Sequence, residues 1–279
     1  MVIKKQKTKT LVTRDNGRSS DAISPNFLYG CLGGCMSSYC YVGRYNNDKL
    51  YINENIEDIL RSISKWAENK PMPKEPNQID PIYYCIDIGC STDVPLHSKH
   101  YDWQKVFDFF NEHPKLKSTF ATKYPSKFGD YQLSKEKHRI RISLMPQVYA
   151  NVLEPNTDSI DKRIEQIERL QEIMEVHINF SPIIYHQDWL KHYDNLFSKL
   201  SNFQFKSECI FLTYNKIQFA RNSEEVNNIC WKPDIQEAKN SEYAADNIRY
   251  ERNLKSKLIS DFSVLYSNYF SLNTIRYIF

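Results

Sequence analysis

Between residues 56 and 214 two kinds of apolar pattern alternate, and this alternation restricts the fold more than any other feature of the chain. IEDILRSISKWA sets Ile56, Ile59, Leu60 and Ile63 at helical spacing, with Asn53 or Asn55 as the N-cap. IYYCIDIG (82–89) then reads as a buried strand, and HYDWQKVFDFF brings Trp103, Val106, Phe107 and Phe110 onto one helical face. STFATKY (118–124) and RIRISLM (139–145) read as the next strands. They are followed by TDSIDKRIEQIERLQEIM, a helix with Ile160, Ile164, Ile167 and Leu170 on one side and acids at its positive end. HINFSPII (177–184) is a strand, and DWLKHYDNLFSKL is a helix buried through Trp189, Tyr193, Leu196, Phe197 and Leu200. FKSECIFLTY (205–214) closes the series as a strand. Right-handed crossovers turn such a series into a parallel sheet, and six units of it make an open, curved partial barrel as easily as a flat sheet. The expected fold class is therefore α/β: a partial (β/α)6 barrel, its curved parallel sheet covered by outer helices, with a C-terminal extension. The expected division is a basic N-terminal segment at 1–24, the barrel at 25–216 and the extension at 217–279. Ligands in such folds bind at the C-terminal ends of the strands.

A chain of 279 residues with 41% hydrophobic content can bury one large core. Its apolar runs are too short to span a membrane. The basic start, MVIKKQKTKTLVTRDNGRSS, has no apolar stretch of the kind a secretory signal carries, so a reducing cytoplasm is expected. A net charge of +3 permits a nucleic-acid partner without arguing for one.

Chemistry concentrates in GCLGGCMSSYCYVGR, where Cys31, Cys35 and Cys40 fall within ten residues. Three thiolates so placed can hold three irons of a 4Fe–4S cluster and leave the fourth open to a ligand. Zinc is the alternative, although structural zinc sites usually pair Cys-x2-4-Cys units and no second pair follows. A disulfide scaffold fits poorly with an odd total of seven cysteines, the other four of which are scattered. The strand ends add Cys90, Ser91, Thr92 and Asp93, then Lys123 and Tyr124, then Ser143 and Met145. Taken singly, a strand-end Ser or Thr satisfies local backbone and a lone Cys is a small hydrophobe. Gathered on one rim beside a cluster, they read as a binding site.

These segments, in this order, resemble the radical S-adenosylmethionine (SAM) enzymes, and among them the spore photoproduct lyase family. The resemblance runs from about residue 26 to about 216: the cysteine segment, CSTDV, FATKYP, LEPNTDSIDKRIEQIERLQ, INFSPII and QDWLKHYDNLFSKL match in turn. It implies a carbon–carbon lyase that uses a 4Fe–4S cluster and S-adenosylmethionine to split the thymine dimer of ultraviolet-damaged DNA through a 5′-deoxyadenosyl radical. By the same resemblance Cys31, Cys35 and Cys40 hold the cluster and Thr92, Lys123 and Ser143 contact S-adenosylmethionine. Cys90 returns a hydrogen atom to the product radical, while Tyr39 and Tyr41 help to regenerate the cofactor. DNA, and a reductant such as flavodoxin or ferredoxin, are the implied partners.

Three departures accompany the match. The family spacing is Cys-x3-Cys-x2-Cys, whereas this chain has Cys-x3-Cys-x4-Cys. Only 30 residues precede Cys31. The family's basic and aromatic DNA-contacting hairpin has as its counterpart NIRYERNLKSKL (247–258), with Arg249, Tyr250, Arg252, Lys255 and Lys257 in a different order and without a glycine turn. A radical S-adenosylmethionine enzyme acting on RNA, a peptide or a small molecule therefore stands as the second reading. A non-catalytic metal module that binds nucleic acid is the third.

Overall fold

The computed structural model describes residues 2–33, 49–238 and 247–279, which divide into two compact units. The first comprises Met1–Leu32, Asp48–Ile142 and Glu165–His177; the second comprises Gly33–Asn47, Ser143–Ile164 and Ile178–Phe279.

The first unit begins with β1 (Val2–Gln6), β2 (Arg14–Asp15), β3 (Ala22–Ile23), β4 (Leu28–Tyr29) and β5 (Lys49–Asn53). These are followed by α1 (Ile56–Glu68), β6 (Tyr84–Asp87), α2 (Trp103–Glu112), β7 (Leu116–Thr122) and β8 (His138–Leu144), whose last two residues belong to the second unit. β1 runs parallel to β5, while β3, β6, β7 and β8 pair in parallel with β2 antiparallel at the edge. Strands therefore reach the main sheet from before residue 25 as well as after it.

Helix α1 buries Ile59, Leu60, Ile63 and Ala67, the one-sided pattern expected from its spacing. Its N-cap is Asn55, whose side chain bonds no helix N–H: it accepts from Thr8 N at 2.9 Å and donates to Thr8 O at 3.1 Å and to Asp58 Oδ2 at 3.2 Å. In α2 Asp102 is the N-cap, accepting from Lys105 N at 3.2 Å, and Trp103, Val106, Phe107 and Phe110 are buried. Phe107 is the centre of this layer, with ring centroids 6.2 Å from Phe120, 5.0 Å from Tyr131 and 5.2 Å from His138. Truncating such a core phenylalanine to alanine costs roughly 3–5 kcal/mol.

Alternation along the strands separates two faces. Tyr84 meets Trp66 of α1, and Phe120 and His138 meet Phe107 of α2, so even-numbered residues face the helices. Odd-numbered residues line the opposite face, and many are polar: Cys85 and Asp87, Lys117 and Thr119, Arg139 and Arg141. Register aligns Cys85 with Lys117 and sets Asp87, Thr119 and Arg139 in one row.

In the second unit, α3 (Gln147–Leu153), α4 (Ile160–Ile173, shared with the first) and β9 (Glu175–Ile183, likewise shared) lead to α5 (Trp189–Leu200) and β10 (Lys206–Phe211). The single strand expected over 205–214 is two, β10 and β11 (Thr213–Asn215). They part at Leu212, whose N–H donates to Ile183 O at 3.0 Å. Next come α6 (Lys216–Phe219), α7 (Glu224–Cys230), β12 (Gln236–Ala238), β13 (Asn247–Tyr250), α8 (Arg252–Ser267) and β14 (Ile275–Ile278). β11, β13 and β12 form a small antiparallel sheet, and β14 lies parallel beside β10. An aromatic cluster joins α5 to α8, with Phe262 5.4 Å from Tyr193 and 5.5 Å from Phe197. Among the described residues the main sheet has eight strands in the order β14-β10-β9-β8-β7-β6-β3-β2. No helix among them is long and apolar enough to cross a membrane.

Candidate active site at the strand ends

At the C-terminal end of β6 the chain turns sharply. Gly89 N donates to Asp87 Oδ1 at 2.9 Å, and Thr92 N to Gly89 O at 3.2 Å. A side chain at Gly89 would meet Phe120 Cβ at 2.9 Å, so only glycine lets this turn sit against β7. The turn presents Cys90, Ser91 and Thr92.

Cys31 is buried and reduced, and both its neighbours are tied to this turn and the segment after it. Gly30, in the left-handed region at φ 100°, donates its N–H to Ser91 O at 3.0 Å, and Leu32 donates to His97 Nε2 at 3.3 Å. Burial pushes the His97 imidazole down to about 4, which keeps it neutral and leaves Nε2 free to accept. The first cysteine of the motif is thus held beside the Cys90–Thr92 turn by backbone hydrogen bonds. Cys35, Cys40, Tyr39 and Tyr41 lie outside the described residues.

Beneath the turn, Asp87 pairs with Arg141 Nη2 at 2.6 Å, both nearly buried. Burial, and then the Asp87 charge, push the Cys90 thiol up to about 11. The Arg14 and Arg141 charges oppose that rise. Cys90 is therefore a protonated thiol at neutral pH.

Asp93 joins β6 to β7. Its Oδ1 accepts from Thr122 Oγ1 at 2.8 Å and from Leu96 N at 3.1 Å, and its Oδ2 accepts from Lys123 N at 2.9 Å. Burial raises its carboxyl above the usual range even so. The Lys123 backbone is thereby fixed at the rim with its side chain half-buried. Ser143 is buried on β8, on the same face as Arg139 and Arg141, and its carbonyl accepts from Arg163 Nη1 at 2.8 Å.

The hydroxyls of Thr92 and Thr119 are buried without a hydrogen-bond partner. Buried polar atoms are ordinarily satisfied, so these two suit a ligand with hydrogen-bonding groups, as S-adenosylmethionine has. A buried thiol on a glycine-rich turn likewise suits iron, a soft metal for which sulfur is the preferred donor. Among the described residues no group of three His, Cys, Asp or Glu side chains is placed to hold a metal, two of the three motif cysteines lying outside them.

The tail departs from expectation at one position. Tyr250 is fully buried and its hydroxyl accepts from Tyr185 N at 2.8 Å, so it is core and not a DNA contact. Its neighbours stay nearer the surface: Arg249 pairs with Glu237 at 3.1 Å, Lys255 is half-buried, and Arg252 and Lys257 are exposed. Reading the residues also missed Arg14, Asp87, Arg141 and His97. The alternation of RIRIS, with charges on every second residue of a buried strand, was the available signal for Arg141.

Comparisons with known proteins place this geometry. A family profile described as spore photoproduct lyase matches residues 2–278, which extends the likeness through the front and tail where the motifs depart. The spore photoproduct lyase of Bacillus subtilis (strain 168) is 26% identical over 193 residues, 67% of this chain and 53% of that protein. That of Clostridium acetobutylicum is 26% identical over 186 residues, 64% of this chain and 53% of that protein. The chain spans about half the length of the curated relatives it matches. A solved spore photoproduct lyase variant with dinucleoside spore photoproduct superposes with a TM-score of 0.83 at 18% identity, covering 99% of this chain and 82% of that one. A second, with bound AdoMet and the same dinucleoside, gives 0.80 at 17%, with the same coverage of both chains. These structures share the fold, the partial α/β barrel that the alternation of strands and helices led us to expect.

Proposed function

From the premise that the chain belongs to the spore photoproduct lyase family, we propose that it is a radical S-adenosylmethionine lyase that cleaves a thymine dimer in ultraviolet-damaged DNA. The observation that carries this reading is the setting of Cys90: a thiol kept protonated at the end of β6, beside the segment that bears Cys31 and next to the unpartnered Thr92 hydroxyl.

In this reading Cys31, Cys35 and Cys40 hold a 4Fe–4S cluster, and Thr92, Lys123 and Ser143 bind S-adenosylmethionine. When bound, these two groups supply the radical that begins the reaction. Cys90 then gives a hydrogen atom to the carbon radical left by dimer cleavage: its S–H bond breaks as a C–H bond forms, and the unpaired electron passes to the Cys90 sulfur. A thiolate could not do this, which is why the burial that raises the Cys90 thiol serves the chemistry. Tyr39 and Tyr41 would help to regenerate the cofactor. Arg249, Arg252, Lys255 and Lys257 contact the DNA backbone, and a flavodoxin or ferredoxin supplies the electron.

Anaerobic reconstitution with iron and sulfide, followed by a dinucleotide photoproduct, tests the reading. Formation of 5′-deoxyadenosine with recovery of thymine supports it. Cleavage of S-adenosylmethionine without repair points to another substrate, and no cleavage at all overturns the enzyme assignment. Cys90→Ala should still cleave S-adenosylmethionine while losing clean recovery of thymine, and normal product from that variant removes Cys90 from the mechanism.

A further inference from the structure

The N-terminal strand region crosses the chemically active edge of the first unit. Arg14 on β2 stands opposite Ile23 on β3, and Ile23 stands opposite Asp87, the last residue of β6. Because β2 runs antiparallel to its neighbours, the residues before Arg14 continue beyond the C-terminal ends of β3 and β6, on the side where Cys90 lies. The segment that leaves β3 in the same direction runs through Ser24 and Asn26 to Cys31.

Between these two stretches is a cavity of about 340 Å³, lined among others by Thr10, Arg14, Ser24, Asn26, Tyr29 and Asn53. Its walls are fixed. Asn53 accepts from Gln6 Nε2 at 3.0 Å and donates to Asn26 O at 2.7 Å; Asn55 holds Thr8 through two hydrogen bonds; and Ser24 Oγ donates to Asp87 O at 3.2 Å.

The lining contains no carboxylate. Arg14 has no acidic partner among the described residues, and its guanidinium offers a fork of N–H donors to a ligand. Lys7 and Lys9, both exposed, carry further positive charge on the same strand region. A cavity of similar size in the second unit, about 360 Å³, is lined by Asp188 and Glu225 and so disfavours an anion. A polar, cationic cavity with fixed walls at the end of the strands that bears Cys90 suits the group that recurs along a nucleic-acid strand.

We propose that this cavity seats a phosphodiester next to the lesion, with Arg14 contacting a non-bridging phosphate oxygen. The assignment rests on the DNA-lyase reading and goes beyond it, since it gives the N-terminal region a substrate contact within reach of the chemistry.

The test uses the full chain, anaerobically reconstituted, and a dimer-containing oligonucleotide. Arg14→Ala should weaken binding about tenfold at low salt and reduce the slope of log affinity against log salt by about one contact. Arg14→Lys should recover most of the slope. Replacing the contacted phosphate by a methylphosphonate should weaken the native protein equally and Arg14→Ala no further. Asn26→Asp, which leaves Arg14 in place and adds a carboxylate to the cavity, should weaken binding as well. An unchanged salt slope in Arg14→Ala, or equal sensitivity of both proteins to every methylphosphonate, overturns the proposal. Competition by inorganic phosphate alone, with oligonucleotide binding unaltered by Arg14→Ala, marks a free-anion site and also overturns it. Formation of 5′-deoxyadenosine by the native protein reports separately on the enzyme reading, and absence of oligonucleotide binding by the native protein counts against both.

Discussion

The two ends of the strands in the first unit treat buried polarity in opposite ways. At the N-terminal end, Asp80 accepts from Lys117 at 3.1 Å and from Arg139 Nη2 at 2.9 Å. Glu175 accepts from Arg139 Nε at 2.9 Å and pairs with His177 at 2.7 Å. Burial alone would raise both acids, but the neighbouring cations and hydrogen bonds hold them below the usual carboxylate range. At the C-terminal end, Thr92 has a buried hydroxyl without a partner and Cys90 keeps its proton. The closed end satisfies its charges internally, and the open end leaves groups to be satisfied by something that arrives. Buried polar atoms are costly, so a fold tolerates them unpaired where a ligand completes them.

Substitutions at each end can break this contrast. The largest effect is expected for Cys31→Ala, which should abolish iron incorporation and S-adenosylmethionine cleavage while leaving the folded protein intact by circular dichroism. Retention of iron at native stoichiometry would remove Cys31 from the ligand set. At the closed end, Arg139→Met takes one buried cation from both Asp80 and Glu175, leaving them Lys117, and should cost roughly 3–5 kcal/mol in urea unfolding. A loss below about 1 kcal/mol, the level of a surface ion pair, would show that the network is not what secures that end.

A matched pair sharpens the comparison at the open end. Thr122→Val takes a hydrogen bond from the buried Asp93 and should cost about 1–3 kcal/mol of stability. Thr92→Val removes a hydroxyl with no partner, so it should change stability by less than about 0.5 kcal/mol. It should nonetheless weaken S-adenosylmethionine binding by roughly fivefold to tenfold, the worth of one hydrogen bond, as read by equilibrium dialysis.

The smallest effect concerns protons. Burial pushes His138 down to about 3 from its ordinary 6.5, as a neutral ring bonded to Ser118 Oγ at 2.8 Å and to Asn111 Oδ1 at 2.7 Å. Below pH 6.5 the unfolded chain takes up this proton and the folded chain does not. Its contribution to stability is therefore full above pH 6.5 and is lost as pH falls toward 3. Urea midpoints should decline over that window, and His138→Asn should decline less steeply between pH 6.5 and 4.5, above the range where the acids begin to titrate.

Much of this architecture was legible in the chain because it depends on local periodicity. The buried faces of α1, α2 and α5 follow from apolar spacing alone, since a helix that buries one face must repeat with the helical period. The strand ends were legible too, because a βα turn puts its functional groups immediately after the apolar run. Charge pairing was not. Arg139 meets Asp80 across 59 residues and Arg141 meets Asp87 across 54, and no local pattern names such partners. Tyr250 shows the same limit, since an aromatic in a basic stretch reads as a surface contact until the tertiary structure packs its ring and sets its hydroxyl to accept from Tyr185 N.

By itself, then, the sequence determined the alternation of elements, the end of the sheet at which chemistry would gather, and the thiols and hydroxyls available there, because each depends on residues a few positions apart. Only the tertiary structure decided which of those groups are satisfied. It closed one end of the strands with ion pairs and left Thr92 open at the other. It also brought Arg14 from the N-terminal region into one row with Ile23 and Asp87, a placement fixed by strand register across the sheet and invisible to any local reading.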